Sequence, residues 1–383
     1  MENKNSLLLL LTLSIAVFGV ITTEIAVIGL LPQLEAQLHV TPTQVGFLVG
    51  IYAIVVAITG PFMTLLLSGY NKKHVLLAIL FVFIVSNLIY ATTNLFNLML
   101  IFRILPGLGH AVFFAVALVI AANSVSKEKS AGAIAKVFAG VAVGMVLGMP
   151  LSSFIAEHLS LSAAFYFGAA TCMLAFLGIL FFVPSIPATK NRIAIEQLNV
   201  LRRGKLWLTI STVTLIFSAM FSSFSYITDY LSKITQFDND FISAILILFG
   251  VSGFIGNFVF SRFLQKSVVS TTYAYPVLLI FLYLQVWYLG FSPIAMCVLT
   301  VFWGGLHSAG LVVSQTWLIQ EANDAPEFAN SLYISFSNLG ITIGSVTGGW
   351  FLSQFNVHTV MLISILFSFM AFLSIYIKNN LQR

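Results

Sequence analysis

The sequence predicts an all-α polytopic membrane protein, with twelve transmembrane helices in two parallel six-helix repeats. Three observations predict it. The 383-residue chain is 59% hydrophobic and 8% charged, whereas soluble domains carry about 25% charged residues. Twelve apolar segments recur along the chain, each near the ~20 residues a helix needs to cross hydrocarbon. Two glycine-bearing patterns of the first half return in the second at nearly the same displacement.

The segments lie near 7–31, 44–67, 74–92, 97–122, 133–156 and 162–183, then 206–230, 241–261, 272–290, 293–319, 329–353 and 357–377. The first is too long for a signal-peptide core and is expected to be retained. The connections alternate in charge. The amino terminus, every second loop and the carboxyl terminus hold fifteen Lys and Arg; the opposite loops hold Lys233 alone, and Arg103 lies within a helix. By the positive-inside rule both termini are expected to be cytoplasmic, as an even number of spans also requires.

The net charge of +5 is dispersed over short loops, so it reads as a topology signal. A nucleic-acid site would need one contiguous basic surface. Cys172 and Cys297 both fall in apolar segments, where packing is their ordinary role. A Walker loop, an HExxH pair, a GxSxG elbow and a Cys/His ligand cluster are all missing from the sequence. The chain is therefore expected to be no enzyme and to use neither ATP, metal nor organic cofactor.

Segment five reads Gly140-x3-Gly144-x3-Gly148 with Pro150 following, and segment eleven reads Gly340-x3-Gly344-x3-Gly348, displaced by 200 positions. Segment four carries Gly107-Leu-Gly-His110 and segment ten Gly304-Gly-Leu-His307, displaced by 197. Two matches in one order imply a duplicated unit. The expected division is residues 1–183, a cytoplasmic linker 184–205, and residues 206–383. Within the linker, Ile193–Leu201 reads either as a short surface helix or as solvated chain. Glycines four apart let another backbone approach. The stripes therefore imply tight helix packing, or a smooth face on which the halves slide.

Within the spans charges are few. Glu24 is the one charged residue of the first run. An intramembrane carboxylate costs roughly 2.5–3.5 kcal/mol on insertion scales and is kept where it faces protein or water. Arg103, on the oppositely directed fourth segment, falls at similar depth, where it either couples to Glu24 or caps main-chain carbonyls. His110 follows two turns deeper on the same face, with Phe114 beyond; it reads either as a hydrogen-bonded interior residue or as a proton-coupling group with Glu24 and Arg103. His307 holds the matching place in the second half. Tyr226, Gln315 and Asn338 join Glu24, His110, Phe114 and His307 as candidates for substrate contact. Asp229 reads as a solvated helix end.

This arrangement resembles the major facilitator superfamily. Glu24 with Gly29-Leu-Leu-Pro32, then Gly46-x-Leu-x3-Tyr52-Ala and Gly60-Pro61, is similar to the opening of its drug:proton antiporter group, which includes the arabinose and sugar efflux transporters. Arg103-x3-Gly107-Leu-Gly-His110-x2-Phe113 is similar to that group's fourth helix, segment five to its antiporter motif, and Asn338-Leu-Gly340 with Gly348-Gly349 to its eleventh helix. Two departures stand out. The 2–3 loop reads Ser68-Gly69-Tyr70-Asn71-Lys72-Lys73-His74, without the family's acid. Gly144 is followed by Met145 where a Pro is usual, the Pro coming at 150.

The resemblance implies proton-driven efflux of small molecules such as drugs or sugars, with Glu24 binding protons or substrate and Arg103 in the relay. A central cavity between the halves would open to each side in turn. The expected partners are a small-molecule substrate, protons and the lipid bilayer, the chain acting as a monomer in a bacterial cytoplasmic membrane. Sugar or nucleoside export without drugs, and proton-independent facilitation, are the alternatives.

Overall fold

The computed structural model describes residues 4–40, 42–126, 129–187 and 197–380, and every regular element among them is helical. The chain order is α1 Lys4–Gly29, α2 Leu31–Leu38, α3 Pro42–Leu67, α4 Lys72–Thr92, α5 Phe96–Asn123, α6 Ser130–Val143, α7 Met149–His158 and α8 Leu161–Phe182. After the linker come α9 Gly204–Phe224, α10 Ile227–Lys233, α11 Asn239–Lys266, α12 Val268–Leu289, α13 Pro293–Glu321, α14 Pro326–Gln354 and α15 Val360–Asn380.

Among the described residues, ten helices are long and apolar enough to cross a membrane. The fifth and eleventh of the expected twelve are rods of another kind. The fifth is α6 and α7 joined by a π-helical turn, Gly144–Gly148, immediately before Pro150, which has no N–H to continue an α-helical ladder. The eleventh, α14, is a 29-residue helix whose face carries buried Asn330, Ser331, Ser335, Ser337 and Asn338. The first run forms α1, which ends within two residues of the expected boundary; a short helix, α2, follows it and ends where His39 takes a left-handed conformation with φ 53°. Residues 193–196 of the proposed surface helix lie outside the described residues, and residues 197–202 form a 3₁₀ turn.

Helix starts follow the sequence. The side chains of Asn71, Ser160, Asp238, Ser267 and Ser292 each accept a first-turn N–H, satisfying donors that would otherwise be orphaned.

Two compact units result: residues 1–197 with 326–335, and residues 198–325 with 336–383. In the first, α1 packs on α8 and α6, α4 on α8, and α3 on α5. The opening ten residues of α14 belong to this unit. Lys72 pairs there with Glu327, Thr64 donates to Ser331 at 2.8 Å, and Ser335 donates to the Val56 carbonyl at 3.2 Å. Lys72 of the 2–3 loop thus finds its acid 255 residues away, while Lys73 donates to the Leu180 carbonyl at 2.8 Å.

In the second unit α9 packs on α15 and α11 on α13. Hydroxyl pairs fasten the α9–α15 contact, Ser222 with Ser364 at 2.8 Å and Thr212 with Ser374 at 2.9 Å, as is common where helices meet in lipid. Lys378 pairs with Glu321 at 2.9 Å and lies 3.8 Å over the Trp317 ring.

The glycine stripes pack within their own units. A Cβ on Gly140 would run into the Ser14 carbonyl of α1, and one on Gly144 would meet Ile21 at 2.8 Å. A Cβ on Gly148 would meet Thr22 at 2.8 Å. On α14, Gly340, Gly344 and Gly348 would each place a Cβ 2.5 Å from a carbonyl of α9, those of Thr214, Ser218 and Ser222. Each stripe is the groove into which the first helix of its own repeat settles.

Candidate functional site

The first unit brings Glu24, Arg103, His110 and Phe114 together. Glu24 comes from α1, the other three from α5, and their seven- and four-residue spacings stack them along one face of that helix. His110 Nε2 stands 3.8 Å from the Glu24 carboxylate. The other ring nitrogen, Nδ1, is 2.6 Å from the hydroxyl of Tyr52 on α3. Phe114 stacks on the imidazole, with centroids 4.9 Å apart. All but Glu24 are sealed: Tyr52 is 1% and Arg103, His110 and Phe114 each 2% exposed, while the Glu24 side chain retains 16%. The carboxylate is the accessible end of the chain Tyr52–His110–Glu24.

That chain ties the imidazole tautomer to the direction of the Tyr52 hydrogen bond. When the Tyr52 hydroxyl donates to Nδ1, a neutral imidazole carries its proton on Nε2, directed at Glu24. The acid then faces a donor that need not itself be charged.

Arg103 takes a different part. Nε donates to the Leu48 carbonyl at 3.1 Å, Nη1 to that of Thr23 at 3.0 Å and Nη2 to that of Glu24 at 2.6 Å. Its guanidinium carbon lies 4.3 Å over the Tyr52 ring. The cation is thus held by main-chain dipoles of α1 and α3 and by an aromatic face. Of the two readings open to it in the sequence, carbonyl capping is the one its contacts fit. The rigid planar fork suits this role in a way a Lys would not.

A second polar layer supports α1. Asn87 donates to the Thr23 hydroxyl at 3.0 Å and to the Phe83 carbonyl at 2.9 Å. Thr23 donates to the Gly19 carbonyl at 3.0 Å and lies 3.8 Å from Cys172 Sγ. Tyr52, Asn87 and Thr23 are the contributors the sequence reading did not single out. Tyr52 sits in a motif quoted for its resemblance alone, and nothing in spacing aims it at His110.

The remaining candidates lie in the second unit. His307 on α13 is 3% exposed and ringed by Phe221, Phe224 and Phe249 at 5.3, 4.3 and 5.4 Å between centroids. Tyr226, in the break between α9 and α10, donates to the Ser345 carbonyl at 2.7 Å, and its ring lies against Gly348 and Gly349. Gln315 and Asn338 are buried on α13 and α14. Asp229 pairs with Lys233 at 2.7 Å, both about half exposed. Among the described residues no group of three metal-ligating side chains occurs.

Comparison with known proteins agrees with this architecture. The sequence model of the Major Facilitator Superfamily matches residues 13–322. The inner membrane transport protein YdhP of Escherichia coli K12 is 30% identical over 340 residues, covering 89% of this chain and 87% of its own. The MFS-type transporter YtbD of Bacillus subtilis strain 168 is 29% identical over 355 residues, covering 91% and 89%. Among solved structures, the human organic anion transporter MFSD10 superposes with TM-score 0.74 at 14% identity, over 98% of this chain and all of its own. The fucose:proton symporter FucP of E. coli superposes with TM-score 0.75 at 14% identity, over 98% of each chain.

Proposed function

The chain belongs to the major facilitator superfamily, and from that membership we propose that it is a proton-coupled exporter, an antiporter that moves small molecules such as drugs or sugars out of the cytoplasm. The observation that carries the reading is the Glu24–His110–Tyr52 chain in the first unit. A membrane-embedded carboxyl, partly accessible and facing an imidazole, is what a reversible proton site requires. Exposed to the outside, Glu24 takes a proton. Exposed to the cytoplasm, it releases the proton and substrate enters. The membrane potential supplies about 2.3 kcal/mol per 100 mV for each net charge moved.

His110 Nε2 faces the acid across 3.8 Å, close enough to bias its charge without a direct hydrogen bond. Arg103 holds the α1 and α3 backbones around it, so its contribution to coupling runs through position. Phe114 gives the imidazole a flat apolar wall. The same reading places the protein, as a monomer, in a bacterial cytoplasmic membrane with both termini inside, in keeping with the charge alternation of the loops.

The test is transport in proteoliposomes under an imposed pH gradient, across a panel of sugars and drug-like molecules. Wild type is expected to move at least one of them uphill. Glu24→Gln is expected to stay folded and lose the gradient-driven component. Undiminished gradient-driven transport by that variant would overturn the assignment.

A further inference from the structure

The duplication sets His307 where His110 stands in the first repeat, and it also pairs the neighbours. At the same displacement of 197, Tyr52 of α3 corresponds to Phe249 of α11. At the displacement of 200 that relates the glycine stripes, Glu24 of α1 corresponds to Phe224 of α9. The two residues that address His110 in the first unit are thus replaced by two phenyl rings that address His307 in the second. The histidine is kept and its polar partners are gone.

The consequence is visible in its contacts. Neither Nδ1 nor Nε2 of His307 has a hydrogen-bond partner among the described residues, although the side chain is buried. Seven residues on, along the same face of α13, the buried Ser314 hydroxyl also lacks a partner. Buried polar groups are nearly always satisfied, and an unsatisfied one costs about 1–3 kcal/mol. A neutral imidazole presents one donor and one acceptor. Here both lie within a wall of Phe221, Phe224 and Phe249, with Phe224 and Phe249 near-parallel at 5.2 Å and Trp303 at 6.2 Å from Phe249.

The backbone beside this cluster is broken. Phe224 is the last residue of α9; Ser225 and Tyr226 form a turn before α10 begins at Ile227. Phe224 is only half-buried and Ser225 is exposed, so the cage has an accessible side at the break. Interrupted membrane helices are where transporters place ligands.

We propose that His307, with Phe221, Phe224 and Phe249, forms a ligand site for an uncharged flat ring system carrying hydrogen-bonding groups on its edge. The ring stacks on the flat faces while its edge meets the unpartnered nitrogens of His307. A cation would gain from the ring faces. It would also bring an unpaired charge into a cluster whose contacts include no carboxylate, and that cost is larger. The inference deepens the transport reading by naming a cargo class, and it rests on that reading only for the word cargo.

The experiment is equilibrium binding to the purified full-length protein in detergent, with no gradient, so that proton coupling does not enter. The probe is 7-azaindole, a neutral bicyclic ring with one donor and one acceptor. Naphthalene (a flat bicycle of similar size without polar groups) and N-methylquinolinium (charged) are the comparisons. Wild type is expected to prefer 7-azaindole to each comparison by about tenfold, one unsatisfied polar group's worth. His307→Phe is expected to lose that preference while still binding naphthalene, and His307→Gln to keep part of it. Independently of any variant folding, ¹⁵N-histidine spectra of wild type, one of six histidines being His307, should show one imidazole shifted by 7-azaindole and not by naphthalene. Equal binding of 7-azaindole and naphthalene, tighter binding of N-methylquinolinium, or spectra without such a shift would each overturn the site. If the site holds while Glu24→Gln transports normally, the coupling assignment alone fails.

Discussion

Arg103 and Glu24 meet through the main chain and not through their charges. Arg103 Nη2 donates to the Glu24 carbonyl at 2.6 Å, while the Glu24 carboxylate turns to His110 at 3.8 Å. The acid is therefore free to change its protonation without breaking the contacts that hold α1 to α5.

This geometry separates charge from shape at position 103. Arg103→Lys keeps the cation and loses the fork that reaches the carbonyls of Leu48, Thr23 and Glu24. The variant is expected to be less stable by ~2 kcal/mol, since at least two charge-assisted bonds go unmade. Thermal unfolding in detergent measures this; a midpoint unchanged from wild type would show that the carbonyl contacts are incidental.

Tyr52→Phe removes a hydroxyl and leaves the ring on which Arg103 rests. The hydrogen bond to Nδ1 is worth ~1 kcal/mol, so the His110 tautomer loses its bias by about fivefold. The expected result is a modestly lowered unfolding midpoint, ~1 kcal/mol's worth, together with a displaced pH profile of gradient-driven transport. A purely structural Tyr52 would move the midpoint and leave the profile in place.

The glycine grooves predict a contrast between a glycine inside a groove and one outside it. Gly140→Ala pushes a methyl into the Ser14 carbonyl, main chain that cannot turn aside, and is expected to cost about 1–3 kcal/mol. Gly50→Ala, inside α3 with nothing within 4 Å of its would-be Cβ, is expected to be neutral or to gain up to ~1 kcal/mol from helix propensity. Paired unfolding curves check both.

Outside the spans, Arg203 grips Asp324 bidentately, at 3.1 and 2.5 Å. The hydrogen bonds from Arg203 hold the Asp324 carboxyl below its ordinary value. A depressed carboxyl contributes stability above its unfolded pKa, and the contribution is lost as pH falls through the lower folded value. The pair is exposed, so the effect is small and fades with salt. Asp324→Asn should remove the corresponding slope from a plot of unfolding midpoint against pH between about 5 and 3. A slope identical in the variant would refute the contribution.

The residue pattern made the helices legible because lipid leaves the backbone few choices: an apolar run of ~20 residues must hydrogen-bond to itself. The repeat was legible too, because glycine at a close crossing has no substitute. What the pattern left open was direction across the helices. Arg103 and Glu24 share a depth, which the sequence shows, but whether a side chain reaches a carboxylate or a carbonyl depends on rotation about two helix axes. Lys72 and Glu327 are 255 positions apart, and no local rule joins them. Tyr52 lay unnoticed because one hydroxyl among twelve tyrosines has no signature until its partner is known. The eleventh helix was read as an ordinary apolar span, yet its serine and asparagine face is buried in protein.

The π turn at Gly144–Gly148 carries one consequence beyond packing. Such a turn is an α-helix holding a surplus residue, so removing one residue there should mend the helix. The wide turn already absorbs that residue, so the chain beyond the deletion would keep nearly the face it presents now; taken from an ordinary α-helical turn, one residue would rotate it by about 100° about the axis. Ser153, now donating to the Gly29 carbonyl at 3.2 Å, would stay on α1, and so would Met149, which fills the hollow at Gly29. The surplus residue is thus slack: the segment facing the helix that carries Glu24 tolerates its loss here, and loses its aim when one residue goes from the α-helical turns on either side.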